Sequence, residues 1–138
     1  MLKKENIFLN QEFKTKQECL DYLKSIFKKE NVDNRYIESI DLRERVCSFN
    51  IGSKIAIPHG TYDGMLYLKN SLIIVLHLQK PIIWDDSEVQ LIIGLALKQE
   101  DQIDILSKIA INAMNDELFE DLLKNPTVDK IIDFSTKE

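Results

Sequence analysis

Residues 71–78 read Ser-Leu-Ile-Ile-Val-Leu-His-Leu, an almost unbroken run of large and β-branched apolar side chains. A strand with this pattern has no solvent face, so it must lie at the centre of a sheet that is covered on both sides. The run Val89-Gln90-Leu91-Ile92-Ile93-Gly94-Leu95-Ala96 makes the same demand a second time. These two segments exclude an open two-layer sheet and require helices on both faces.

The flanking sequence supplies such helices. Thr15-Lys16-Gln17-Glu18 has the T-x-x-E form of a capping box, and Cys19, Leu20, Leu23, Ile26 and Phe27 follow at helical spacing. A second helix is predicted after Asp33-Asn34, burying Tyr36, Ile37 and Ile40 and ending near Arg45. Lys54 to Ile57 reads as a short strand, and the long strand is predicted to stop at Gln79-Lys80-Pro81. Helical patterns resume at Asp101, with Ile103, Leu106, Ile109, Ala110 and Ala113 as the apolar face. Another follows Asn115-Asp116 with Leu118, Phe119, Leu122 and Leu123, and Thr127 is positioned to cap a last helix through Val128, Ile131 and Ile132. The expected architecture is one α/β domain over residues 1–138, a mixed β-sheet sandwiched by helices.

Composition narrows the function classes. The net charge of −5 lacks the basic footprint of a nucleic-acid binder. The N-terminus has no apolar core of signal-peptide length, and the longest apolar run is too short to cross a bilayer. Cys19 and Cys47 form no C-x-x-C pair, so reduced thiols and a cytoplasmic location are expected. Two isolated histidines make a poor metal site. No P-loop, G-x-G-x-x-G or G-x-S-x-G is present.

The apolar run Ile55-Ala56-Ile57 stops at Pro58, and His59-Gly60 follow. Proline fixes its own φ and holds the preceding residue extended, whereas glycine permits close approach by a neighbouring segment. A histidine on such a stiff hinge at a strand end suits a nucleophile; it also suits an ordinary loop. His77, inside the long strand, reads as a core-edge or outward-facing side chain. Cys19 reads as core, and nothing local lowers the thiol pKa of Cys47. Arg43 and Arg45 sit where cations commonly end a helix, and an arginine fork also suits a phosphoryl group. Asp85-Asp86 and Glu100-Asp101 read as loop and cap residues.

The segment "RERVCSFNIGSKIAIPHG", residues 43–60, resembles the signature of the enzyme IIA domains of the bacterial phosphoenolpyruvate-dependent sugar phosphotransferase system, mannitol and fructose class. "ENIFLN", "YIESIDLRE" and "LHLQKPIIWDD" extend the similarity over most of the chain, and the N-terminal match, "ENIFLN" with the helix from Thr15, favours the mannitol type. The resemblance implies that His59 accepts a phosphoryl group from the phosphohistidine of HPr, through Nε2. It implies that the group then passes to a cysteine of enzyme IIB during sugar uptake through the membrane enzyme IIC. Arg43 matches the family arginine that supports the site electrostatically. The scheme requires no metal or dissociable cofactor, and HPr and enzyme IIB are the implied partners, with neither nucleic acid nor direct membrane insertion.

One departure stands out. Mannitol-type members carry a second active-site histidine at the start of the helix after the last core strand. Here that segment reads "KQEDQIDIL", and Gln102 takes the position. Glutamine keeps a neutral donor and an acceptor but never becomes a cation. The alternatives to a transport carrier are a regulatory IIA-like interaction module and a domain that has lost the reaction. The start at Met1 and the lack of a helix-turn-helix segment favour the free carrier.

Overall fold

The computed structural model describes residues 1–136. Its chain order is β1 (Leu2–Gln11), α1 (Lys16–Lys29), α2 (Asn34–Val46), β2 (Asn50–Gly52), β3 (Ile55–Ala56), α3 (Tyr62–Met65), β4 (Leu72–Trp84), β5 (Ser87–Ala96), α4 (Gln99–Ala113), α5 (Asp116–Lys124) and α6 (Val128–Thr136). The five strands form one mixed sheet in the order β1-β4-β5-β3-β2. β1 runs parallel to β4, β4 antiparallel to β5, β5 parallel to β3, and β3 antiparallel to β2. The expected α/β sandwich with a mixed sheet is the observed one.

The alternation of β4 sorts the core into two halves. Ile74, Leu76 and Leu78 pack with Leu20, Leu23, Phe27 and Ile40 of α1 and α2. Ile73 and Val75 point the other way, with Leu91, Ile93 and the apolar faces of α4, α5 and α6. Gly94 on β5 is a point of close packing, because a Cβ there would lie 2.5 Å from a methyl carbon of Leu23.

Several elements depart from the sequence expectation. β1 was not anticipated: its start is charged, and only Asn6 and Ile7 are buried. β4 continues through Pro81 to Trp84. The β4–β5 register shifts between His77 and Ile82, so the proline falls where the ladder is already interrupted, and its missing N–H costs no regular bond. β2 and β3 close as a hairpin with Ser53 and Lys54 both at positive φ, 55° and 65°, the conformation of a type I′ turn. α3 is a single turn that sequence periodicity does not register.

α4 begins at Gln99 rather than Asp101 and buries Ile105 and Ile109, whereas Ile103 is 80% exposed. Two overlapping stripes share Ile109, and the sheet takes the one through Ile105. In α5, Phe119, Leu122 and Leu123 are buried while Leu118 is exposed. The caps follow local chemistry: Thr15, Asp33, Asn115 and Thr127 each accept a backbone N–H of the helix they start. At Thr15 the reciprocal arm is displaced, because Glu18 accepts from the N–H of Lys14.

Candidate active site around His59

His59 leaves the end of β3 alongside the end of β5. The Pro58 carbonyl accepts the Leu95 N–H at 2.9 Å, and His59 bridges Leu95 in the parallel sense. This extends the ladder by one step and delivers the imidazole to the carboxyl edge of the sheet. Its Nδ1 lies 2.8 Å from the Ile57 carbonyl. Only a protonated Nδ1 donates there, so the neutral ring carries its lone pair on Nε2.

The hinge after His59 is held by two side chains of α2. The Tyr36 hydroxyl accepts the Gly60 N–H at 2.8 Å and donates to the Leu95 carbonyl. The Ser39 hydroxyl accepts the Thr61 N–H at 3.0 Å and donates to the Tyr36 carbonyl at 2.6 Å. A Cβ on residue 60 would lie 2.5 Å from Ser39 Oγ and 2.6 Å from Tyr36 Cε1. Glycine is thus required by the approach of these side chains rather than by an unusual φ. Thr61 then caps α3 by accepting the Gly64 N–H at 3.0 Å.

Arg43 lies two helical turns beyond Tyr36 on α2, on the same side of the helix. Gln102 lies in the first turn of α4. The two side chains and His59 line one cavity of about 200 Å³, with Tyr36, Thr61 and Leu97 also in its wall. No acidic residue lines it. Arg43 donates to the Cys47 carbonyl at 3.0 Å, and no carboxylate pairs with it among the described residues. Burial pushes the imidazole of His59 below the ordinary histidine pKa; the Ile57 carbonyl acts in the opposite sense, and the Arg43 charge adds to the lowering. The result is an imidazole biased toward its neutral form in a cavity lined by one cation and no carboxylate, an arrangement suited to an anionic group such as a phosphoryl group.

The three residues singled out in the sequence therefore meet in one cavity. The others do not. His77 is buried, with Nδ1 accepting the Asn10 N–H at 3.1 Å and Nε2 at 2.8 Å from the Leu123 carbonyl; it is a satisfied core side chain. Cys19 is buried, with its thiol pushed up to about 12 by desolvation. Cys47 is the exposed C-cap of α2 and lies outside the cavity wall. Asp85 occupies the β4–β5 turn, where Lys16 holds it at 2.7 Å and Ser48 donates to it. Among the described residues no cluster of three or more His, Cys, Asp or Glu forms a metal site, and no helix is long and apolar enough to cross a membrane.

Sequence reasoning missed Tyr36, Ser39 and Phe49. A tyrosine on an apolar helix face needs a hydrogen-bond partner for its hydroxyl, and that was the available signal for Tyr36. Burial pushes this phenol up to about 12, which keeps its proton in place as a donor.

Comparison with known proteins agrees with the fold and with the family resemblance. Residues 1–137 match the family model described as phosphoenolpyruvate-dependent sugar phosphotransferase system, EIIA 2. The mannitol-specific phosphotransferase enzyme IIA component of Geobacillus stearothermophilus is 35% identical over 134 residues, covering 96% of this chain and 92% of that protein. The crystal structure of IIA mannitol from Escherichia coli superposes with a TM-score of 0.85 at 22% identity, covering 99% of both chains. The IIA chain in the complex of enzyme IIA-Mtl and phosphorylated enzyme IIB-Mtl from Escherichia coli gives a TM-score of 0.83 at 21% identity, covering 97% of each. At these identities the two structures establish the fold, and the sequence matches establish the kinship. The chain is a member of the EIIA 2 family of the phosphoenolpyruvate-dependent sugar phosphotransferase system, a phosphotransferase component of the enzyme IIA type.

Proposed function

We propose that this chain is a mannitol-type phosphocarrier in which His59 takes a phosphoryl group from phospho-HPr and yields it to a cysteine of enzyme IIB. The observation that carries this reading is the Nδ1–Ile57 hydrogen bond, which leaves the Nε2 lone pair as the nucleophile in a cavity shared with Arg43 and Gln102. In the first step Nε2 attacks phosphorus, an N–P bond forms, and the N–P bond of the donor imidazole breaks. In the second, a thiolate of enzyme IIB attacks phosphorus and the His59 N–P bond breaks, returning the neutral ring.

Each neighbour has a role in this scheme. Arg43 neutralises the phosphoryl oxygens, and Gln102 donates an amide N–H to one of them in place of the second histidine. The amides of Gly60 and Thr61 take no part, because Tyr36 and Ser39 already occupy them. The phosphoryl group thus depends on side-chain donors and on the remaining N–H groups at the start of α3. The relative that supports enzyme IIB as the acceptor is the IIA–phosphorylated IIB complex. We place the exchange in the cytoplasm.

Intact-protein mass tests the scheme. The chain is mixed with phosphoenolpyruvate, enzyme I and HPr, and a mannitol-type enzyme IIB is then added. One acid-labile phosphoryl group gained, and then lost to IIB, is the expected result. Gain without loss to a cognate IIB favours a regulatory phosphoacceptor. No gain from HPr shown to be phosphorylated contradicts the carrier role.

A further inference from the structure

The ring of Phe49 neighbours both Arg43 and His59. Its ring centroid lies 5.3 Å from that of His59, tilted by 52°. The Arg43 guanidinium carbon lies 5.9 Å from the same ring. Phe49 is only 2% exposed, and its backbone is fixed on both sides. Its N–H donates to Glu44 Oε2 at 3.0 Å, and its carbonyl accepts the Ile57 N–H at 3.0 Å. Glu44 is held in turn by Lys16 at 3.0 Å. Ile57 is also the residue whose carbonyl holds Nδ1 of His59, so the aromatic ring and the imidazole hang from one frame.

The chemistry of the seat matters. A carboxylate would hold the guanidinium more firmly, but it would cancel the charge and repel a dianionic phosphoryl group. An aromatic face attracts a cation through its quadrupole and contributes no net charge.

We propose that Phe49 is a positioning residue for phosphoryl transfer: its ring seats the Arg43 guanidinium beside His59 through a cation–π contact and leaves the positive charge available to the phosphoryl oxygens. The proposal rests on the reading of His59 as the phosphoryl carrier. Phe49 itself exchanges no proton and forms no bond with the phosphoryl group.

A double-mutant cycle tests it, read by rapid-quench phosphoryl acceptance from phospho-HPr. Phe49→Leu should lower the rate at saturating donor about tenfold and leave the half-saturating donor concentration unchanged. In an Arg43→Gln background the same change should alter the rate by no more than about twofold, because the residue it acts through is gone. An equal penalty in both backgrounds would show a merely structural role and overturn the proposal. Because Phe49 is a core residue, Phe49→Met repeats the cycle with a different filling of the space, and thermal melting checks that each variant is folded. A second readout needs no phosphoryl transfer: ¹⁵N relaxation of the Arg43 Nε–H in the unphosphorylated protein. The side chain should be ordered in the wild type and mobile in both Phe49 variants; unchanged order in either variant overturns the seat. If the wild type accepts no phosphoryl group, the carrier reading fails, whereas the relaxation measurement still decides the role of Phe49.

Discussion

The phenolic oxygen of Tyr36 sits 2.8 Å from the amide nitrogen of Gly60 and donates its own proton to the Leu95 carbonyl. One hydroxyl thus ties three segments together: α2, which carries Arg43; the hinge, which carries His59; and the end of β5, which leads into α4 and Gln102. The spacing of the proposed site depends on this buried group. Tyr36→Phe leaves the Gly60 N–H and the Leu95 carbonyl without their partner. It should cost about 1–3 kcal/mol in denaturant-measured stability and slow phosphoryl acceptance, because the hinge is freed relative to α2. Unchanged stability would show that these groups find other partners.

Gly60→Ala tests the same clamp from the other side. The added Cβ meets Ser39 Oγ at 2.5 Å and Tyr36 Cε1 at 2.6 Å, and both belong to packed side chains. Overpacking of this kind should cost about 1–3 kcal/mol and displace His59. Adding Ser39→Ala to Gly60→Ala removes the Oγ contact but leaves the Tyr36 contact and strands the Thr61 N–H, so it should recover little of the loss in a melting experiment.

The pH dependence follows from the burial of His59. The folded pKa is lowered, so the neutral, nucleophilic ring persists to lower pH than free imidazole allows. The acceptance rate should fall with acid at a midpoint below about 6.5. Stability shifts in the same window. As pH drops below about 6.5 the unfolded chain binds a proton that the folded one resists, so the contribution is complete above that pH. It is lost as pH falls toward the lower folded value. The difference in stability between wild type and His59→Gln, followed by denaturant titration across this range, should show that slope; a pH-independent difference would contradict it.

Gln102 stands where the resemblance to mannitol-type enzyme IIA implies a second histidine. Gln102→Leu keeps the volume and removes the donor, and it should slow acceptance about tenfold if one hydrogen bond to the phosphoryl group is lost. Gln102→His should keep acceptance near the wild-type rate. Equal rates for the Leu and wild-type proteins would mean that Gln102 only lines the cavity.

Much of this was legible because it is local. Caps at Thr15, Asp33 and Thr127 declare themselves within three or four residues, and the apolar runs of β4 and β5 need no distant information. Pro58-His59-Gly60 was legible as a hinge for the same reason. What escaped is held together across the chain. β1 becomes a strand only by pairing with β4, and its charged start hides that. Pro81 fits inside β4 because the register has already slipped there. Ile103 and Ile105 offer α4 two apolar stripes, and only the sheet chooses between them. Tyr36 reads as a core residue, which it is, and Phe49 gives no signal of its own in the sequence; the contacts of both with the His59 hinge exist only where α2, β3 and β5 converge.

The most direct test of the central claim is ³¹P and ¹⁵N NMR of the imidazole-labelled protein during phosphorylation by phospho-HPr. A phosphoryl group on Nε2 of His59, seen as phosphorus coupling to that nitrogen and missing in His59→Ala, is the expected result. Phosphorylation at Nδ1 or on any other residue would contradict the site described here.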